Sequence, residues 1–129
     1  MILVDTSIWI DFFNGQFDTY IEKFENIIKK EIILIGDLIR IEILQGFKSD
    51  KDYEVAKNLL YEYEQVSLVS NETSELSISM YRDLRHKGIT IKKTIDTIIA
   101  SYCILNEIPL LTKDKDFLYY SEYFNLELI

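Results

Sequence analysis

The chain has 129 residues, with 14 Lys and Arg against 22 Asp and Glu and a formal charge of −8. That length fits one domain, the 48% hydrophobic content excludes a disordered chain, and the lone Cys103 excludes a disulfide scaffold. No apolar run of about 18 residues exists to span a membrane, no basic leader precedes Asp5, so a cytoplasmic location is expected, and the negative balance argues against holding nucleic acid by bulk positive charge.

Ile2-Leu3-Val4 is a short apolar run that predicts a buried strand ending at Asp5. Thr6 or Ser7 is placed to cap a helix through Phe13, which Asn14-Gly15 breaks. Residues 17–30 carry apolar side chains at helical spacing through Phe17, Ile21, Phe24, Ile27 and Ile28. Residues 32–35 form a second strand, and Asp37 is expected to cap a helix with Leu38, Ile41 and Leu44 on its apolar side, ending near Gly46. A helix over 51–63 and a strand over 66–69 follow. Ser70-Asn71 opens a long helix with the stripe Leu76, Met80 and Leu84, stopping at Lys87-Gly88. After a loop over 89–93, residues 94–106 are helical, with Ile95, Ile98, Ile99, Tyr102 and Leu105 expected to face inward. A strand over 109–111, a short helix over 114–120 and an edge strand over 126–129 complete the chain. Short apolar strands alternating with helices predict an α/β fold, a mostly parallel sheet of about four or five strands with helices on both faces. Ligands of such sheets sit beyond the carboxyl ends of the strands.

Acids occupy those ends. Asp5 follows the first strand, and Asp114 and Asp116 follow the last. Glu42 and Asp96 lie inside apolar helical runs, where a carboxylate is costly unless paired, capped or bound to a cation. Each has a plain structural reading: Asp96 as a first-turn acid favoured by the helix dipole, Glu42 on a solvated face, Asp114 as an N-cap. Together on this topology they point to one site. Converging carboxylates with no nearby Lys or Arg cannot all stay ionised without a counter-ion, and a hard cation such as Mg²⁺ with oxygen ligands meets that need. The chemistry this implies is metal-assisted phosphodiester hydrolysis.

The same residues carry a resemblance. Val4-Asp5-Thr6-Ser7-Ile8-Trp9-Ile10-Asp11 resembles the opening signature of PIN-domain ribonucleases, and within them of the VapC toxins of type II toxin–antitoxin pairs. Glu42 with Gly46, Asp96-Thr97-Ile98-Ile99-Ala100, and Leu110 through Phe117 with Thr112, Asp114 and Asp116 resemble the later motifs, in order over nearly the whole chain. The resemblance implies a Mg²⁺- or Mn²⁺-dependent endoribonuclease, often a homodimer, held inactive by a cognate antitoxin. Asp5 and Asp96 would be central metal ligands, Glu42 a ligand directly or through water, and Asp114 or Asp116 the fourth. Thr6, Ser7 and Thr112 would orient carboxylates by hydrogen bonds.

Other residues read as follows. Arg82, Arg85, Lys92 and Lys93 cluster before Asp96, and Lys113 flanks the last acids; they are either ordinary surface charge or contacts to RNA phosphates. His86 reads as a solvated helix end, Cys103 as a core thiol and Trp9 as packing in the first helix. Phe12, Phe13, Phe17, Phe24, Phe47 and Tyr53 serve the core or form an exposed groove for an antitoxin helix or a dimer partner. A phospho-receiver domain would need a second acid beside Asp5 and a late Lys-Pro, and a haloacid-dehalogenase-type phosphatase an Asp where Ser7 stands. A catalytically silent PIN-fold interaction module is the remaining alternative.

Overall fold

The computed structural model describes residues 1–129. Four short strands, β1 (Ile2–Val4), β2 (Ile33–Gly36), β3 (Glu64–Val66) and β4 (Leu110–Leu111), form one parallel sheet in the order β3-β2-β1-β4. The chain steps outward from β1 to β2 to β3, then returns to the other side of β1. β1 and β2 are buried on both faces, which is why they read as unbroken Ile, Leu and Val. The C-terminal segment contributes a single bridge, Leu110 to Leu128, rather than the expected edge strand.

Helices α1 (Thr6–Phe13), α2 (Thr19–Ile27), α3 (Asp37–Leu44) and α4 (Asp50–Leu60) pack in sequence, α1 against α2 and α3, and α3 against α4. The long α5 (Asn71–His86) packs on α6 (Thr94–Asn106). The chain changes direction across β1, and these helices flank the sheet. A 3₁₀ turn over Lys115–Phe117 leads into α7 (Leu118–Tyr123). Thr97, Ala100 and Ser101 give α6 a small, buried face that lets α5 approach closely through Thr73, Ser77 and Met80. Ser70 caps α5 reciprocally: its hydroxyl accepts from the Thr73 N–H at 3.1 Å, and the Thr73 hydroxyl accepts from the Ser70 N–H at 2.7 Å.

Several expectations are corrected. The third strand is 64–66, not 66–69, because β3 is an edge strand that tolerates Glu64 and Gln65, whereas Leu68 leaves the sheet to fill the core. Leu105 and Ile41 are exposed. On α6 Ile99 is buried and Ile95, Ile98 and Tyr102 are half-buried, as expected, while Asp96, Thr97, Ala100, Ser101 and Cys103 complete the buried face. Asp5, not Thr6 or Ser7, occupies the N-cap position of α1, and Gly36, not Asp37, that of α3. The Asp37 carboxylate accepts from the N–H groups of Leu38 at 2.9 Å and Leu68 at 3.0 Å, tying α3 to the strand-to-α5 link. The aromatic residues do not form one exposed groove. Phe24 is fully buried against Trp9, with ring centroids 4.9 Å apart, while Phe12 and Phe13 flank the same indole and Phe47 packs on Phe13. Phe17 alone of that set stays largely exposed.

Gly36 sits where β2 passes into α3, and a Cβ there would lie 2.5 Å from Leu68 Cδ1. Leu68 is fully buried and has little room to yield. Gly36→Ala is therefore expected to cost about 1–3 kcal/mol of unfolding free energy, as overpacking does. In a Leu68→Ala background the same change should cost nearly nothing. Urea denaturation of both pairs checks the non-additivity.

Candidate metal centre

The reversal of strand order falls between β1 and β4, and both strands end in polar residues there. The Asp5 N–H donates to the Leu111 carbonyl at 2.9 Å, so the two strand ends stay in register. Asp5 and Thr112 follow as immediate neighbours. One carboxylate oxygen of Asp5, Oδ2, accepts from the Thr112 hydroxyl at 2.8 Å and from the Ser7 hydroxyl at 2.8 Å. Asp5 is buried, and that burial pushes its carboxyl above the ordinary value, with the two hydroxyls acting in the opposite direction. Thr6 turns the other way and donates to Glu42 Oε1 at 2.9 Å, so half-buried Glu42 on α3 is tied to α1.

Asp96 stands in the first turn of α6, buried, where the helix dipole favours an acid. Carboxylate oxygens of Asp96, Asp114 and Asp116 all lie within 4.8 Å of one another. Asp114 also caps the 3₁₀ turn, its Oδ1 accepting from the Asp116 N–H at 3.0 Å. Its plain structural reading and its place in the cluster thus hold together. Asp114 and Asp116 both stand beside Asp96. Asp5 and Glu42 lie outside the tightest group, yet their charges act on Asp96. Burial first, then the Asp5 charge, with Asp114 and Glu42 adding, push the Asp96 carboxyl up to about 7, against a pull from Lys93.

The absence of nearby cations expected from the sequence does not hold. Lys93 Nζ lies 3.8 Å from Asp114 Oδ2, on a side chain that is 60% exposed. Lys113 does not project freely beside the acids; its ammonium donates to the buried carboxylate of Asp11 on α1. Arg82, Arg85 and Lys92 are exposed. Two groups went unmarked in the sequence. Asp11 is one, although it too is an acid within an apolar helical run. The other is Tyr120, whose hydroxyl pairs with that of Thr97 at 2.8 Å and which burial pushes up to about 12. No sequence signal separates Tyr120 from its tyrosine neighbours.

A narrow cavity of about 70 Å³ lies at this site, lined by Lys93, Asp96, Asp116 and Tyr120 among others. The largest hollow, about 900 Å³, is at the other end of the strands beside Met1, Ile2 and Pro109 and includes none of these acids. Cys103 is buried beneath the site, pushed up to about 12 by burial and then by the Asp5 charge, and is an inert core thiol. A donor set made of carboxylate oxygens, crowded and short of positive charge, fits a hard divalent cation.

In metal-free solution Asp96 binds its proton up to about pH 7 when folded but only to 3.8 when unfolded. Across that window the unfolded chain releases the proton first, so stability falls as pH rises. Asp96→Asn removes this loss. Melting temperatures in chelator should be equal for wild type and variant near the acid end and diverge, with the variant higher, as pH approaches neutrality.

Ribonuclease VapC11 of Mycobacterium tuberculosis is 24% identical over 119 residues, covering 91% of this chain and 89% of the relative. VapC ribonuclease Mb1587 of Mycobacterium bovis matches to the same extent, 24% over 119 residues. Among solved structures, VapBC2 from Rickettsia felis bound to a DNA fragment from its promoter superposes with a TM-score of 0.79 at 23% identity, over 100% of this chain and 98% of the other. FitAcB from Neisseria gonorrhoeae does so with 0.76 at 13% identity, over 100% and 96%. The PIN domain family model matches residues 2–122, nearly the whole chain, and the chain belongs to the PIN-domain family.

Proposed function

We propose that this protein is a divalent-metal-dependent endoribonuclease and the toxin of a toxin–antitoxin pair. The observation that carries the reading is the convergence of Asp96, Asp114 and Asp116 within 4.8 Å, beside buried Asp5, at the carboxyl ends of β1 and β4. The relatives named as VapC ribonucleases and the toxin–antitoxin complexes among the structural neighbours support it.

Asp5, Asp96, Asp114 and Asp116 would hold Mg²⁺ or Mn²⁺, and Glu42 would join them directly or through water. Bound there, the cation supplies positive charge beside a phosphodiester and lowers the pKa of a water. Ser7 and Thr112 fix the Asp5 carboxylate, and Thr6 fixes Glu42, by the bonds described. Exposed Arg82, Arg85, Lys92 and Lys93 form the phosphate-contact rim for the RNA strand. The partners are RNA, a cognate antitoxin whose basic residues suit the acidic pocket, and a second copy of the chain. No helix is long and apolar enough to cross a membrane, and we place the protein in the cytoplasm.

Purified protein should cleave structured RNA with Mg²⁺ or Mn²⁺ and stop in EDTA. Asp5→Asn and Asp96→Asn should each lose more than the roughly 10–100-fold that removing an outer partner costs, with the circular dichroism spectrum retained. Thr112→Val, which removes such a partner, should fall within that range. Wild-type cleavage by both Asn variants overturns the reading.

The rim is tested separately. Replacing Arg85, Lys92 and Lys93 with Ala should flatten the dependence of log affinity on log salt by about 2 for single-stranded RNA. An unchanged slope removes these residues from the interface.

A further inference from the structure

We propose that Asp11 and Lys113 are a positioning pair, which clamps the loop carrying Asp114 and Asp116 onto α1 and so sets their distance from Asp96. The idea rests on the ribonuclease reading only in what those carboxylates are for; the clamp itself stands on geometry.

Asp11 is among the few buried carboxylates of the chain, with its side chain 9% exposed and that of Lys113 33% exposed. Removing a carboxylate from water without a partner is severely unfavourable, and the Lys113 ammonium answers it directly. For stability alone, two well-packed apolar residues would serve as well or better. A charged pair spanning 102 positions in sequence specifies geometry that an apolar contact leaves loose.

The surrounding bonds say which geometry. Ser7 and Asp11 are one turn apart on α1 and share a face. Both hold Lys113: the Ser7 hydroxyl accepts from the Lys113 N–H at 3.4 Å, and Asp11 accepts from its ammonium. Ser7 at the same time donates to Asp5. On the next residues, the Asp114 N–H donates to the Thr112 hydroxyl at 3.0 Å and the Asp116 N–H to Asp114 Oδ1 at 3.0 Å. Phe117 then anchors the far end in the core. Lys113 thus fastens the middle of the loop to the helix that begins at Asp5. The charges that act on Asp96 are those of Asp5, Lys93, Asp114 and Glu42, and neither member of the pair is among them. Lys113 therefore does not neutralise the acidic centre; it holds the backbone from which two of the acids project.

The test compares wild type, Asp11→Asn, Lys113→Met and the double variant, all as the full chain. Asp11→Asn and Lys113→Met should each speed hydrogen exchange at the amides of Lys113, Asp114 and Asp116 by about tenfold, leaving Leu3 and Leu34 unchanged. Lys113→Met strands the Asp11 charge, so the double variant, which removes both charges, keeps the test open if the single one folds poorly. Its exchange should be no faster than that of either single change. Mn²⁺ affinity read by electron paramagnetic resonance should weaken in all three. RNA cleavage should lose kcat with KM within about twofold, because an interaction that does not touch substrate is lost. Unchanged exchange at Asp114 and Asp116 in Asp11→Asn overturns the proposal. So does a rise in KM with a flatter salt dependence in Lys113→Met alone, which would make Lys113 an RNA contact. If wild type cleaves no RNA but the loop amides respond as stated, the ribonuclease reading fails and the clamp stands.

Discussion

Like charge crowded at one end of a small parallel sheet is the constraint around which this protein is built. Asp96, Asp114 and Asp116 converge beyond β1 and β4, and the charges of Asp5 and Glu42, from two further stretches of chain, act on Asp96. Bringing them together is unfavourable, so the fold must impose the arrangement. It does so with a rigid platform. β1 and β4 are locked by backbone bonds that run up to Asp5, and the side chains beneath are fully buried apolar residues. Hydroxyls are then set against individual carboxylates. Ser7 and Thr112 both donate to one oxygen of Asp5, and Thr6 donates to Glu42. Two hydroxyls in the first turn of α1 serve this task, and the helix accepts an N-cap residue, Asp5, whose side chain makes no capping bond.

The parts of this arrangement that were legible beforehand share a cause. Ile2-Leu3-Val4 reads as a buried strand because both its faces are covered, and α5 and α6 read as helices because their lengths exceed any strand here. The acids were legible because an Asp or Glu inside an apolar run is out of place unless something answers it. That criterion selects Glu42 and Asp96, and it selects Asp11 equally, in a helix whose other residues are mostly apolar. Asp11 differs only in what answers it, a lysine 102 positions away that no local pattern reveals. Failures elsewhere come from treating apolarity as burial. Val69, Ile41 and Leu105 are apolar and exposed, while Thr73, Ser77, Thr97 and Ser101 are polar and buried. The α5–α6 contact explains the second group. Close packing of helices selects small side chains, and small side chains in this chain are mostly hydroxylic. Hydrophobic periodicity is blind to such a face.

Asp5 and Asp96 illustrate how the same residue type is handled in two ways. Asp5 is the more enclosed, and hydroxyl donors stand against its charged form. Asp96 lacks such donors and faces the negative charges of Asp5, Asp114 and Glu42, so it is the member whose ionisation depends on positive charge arriving. Lys93 supplies some. It does so from an awkward place, just ahead of the N-terminus of α6, where the helix dipole disfavours a cation. Its contact with Asp114 is 3.8 Å long and largely in solvent, and such pairs contribute little. The compensation within the chain is therefore partial and weakly held, and a cation that bound all three carboxylates would displace it at small cost.

This bears on how a chain of charge −8 could handle an anionic polymer. Bulk charge opposes the approach, but potential near a surface is governed by charges within about 8–10 Å at physiological salt. The acidity here is local. Asp96 and Asp116 line a narrow cavity, and at its edge stand exposed Lys92 and Lys93, with Arg82 and Arg85 on the last turns of α5. Were the pocket's charge met by a cation, an anionic strand at that edge would meet the exposed basic residues before the acids beneath them. The five acids of the site thus account for most of the −8, and a balance of −3 is left for the rest of the chain.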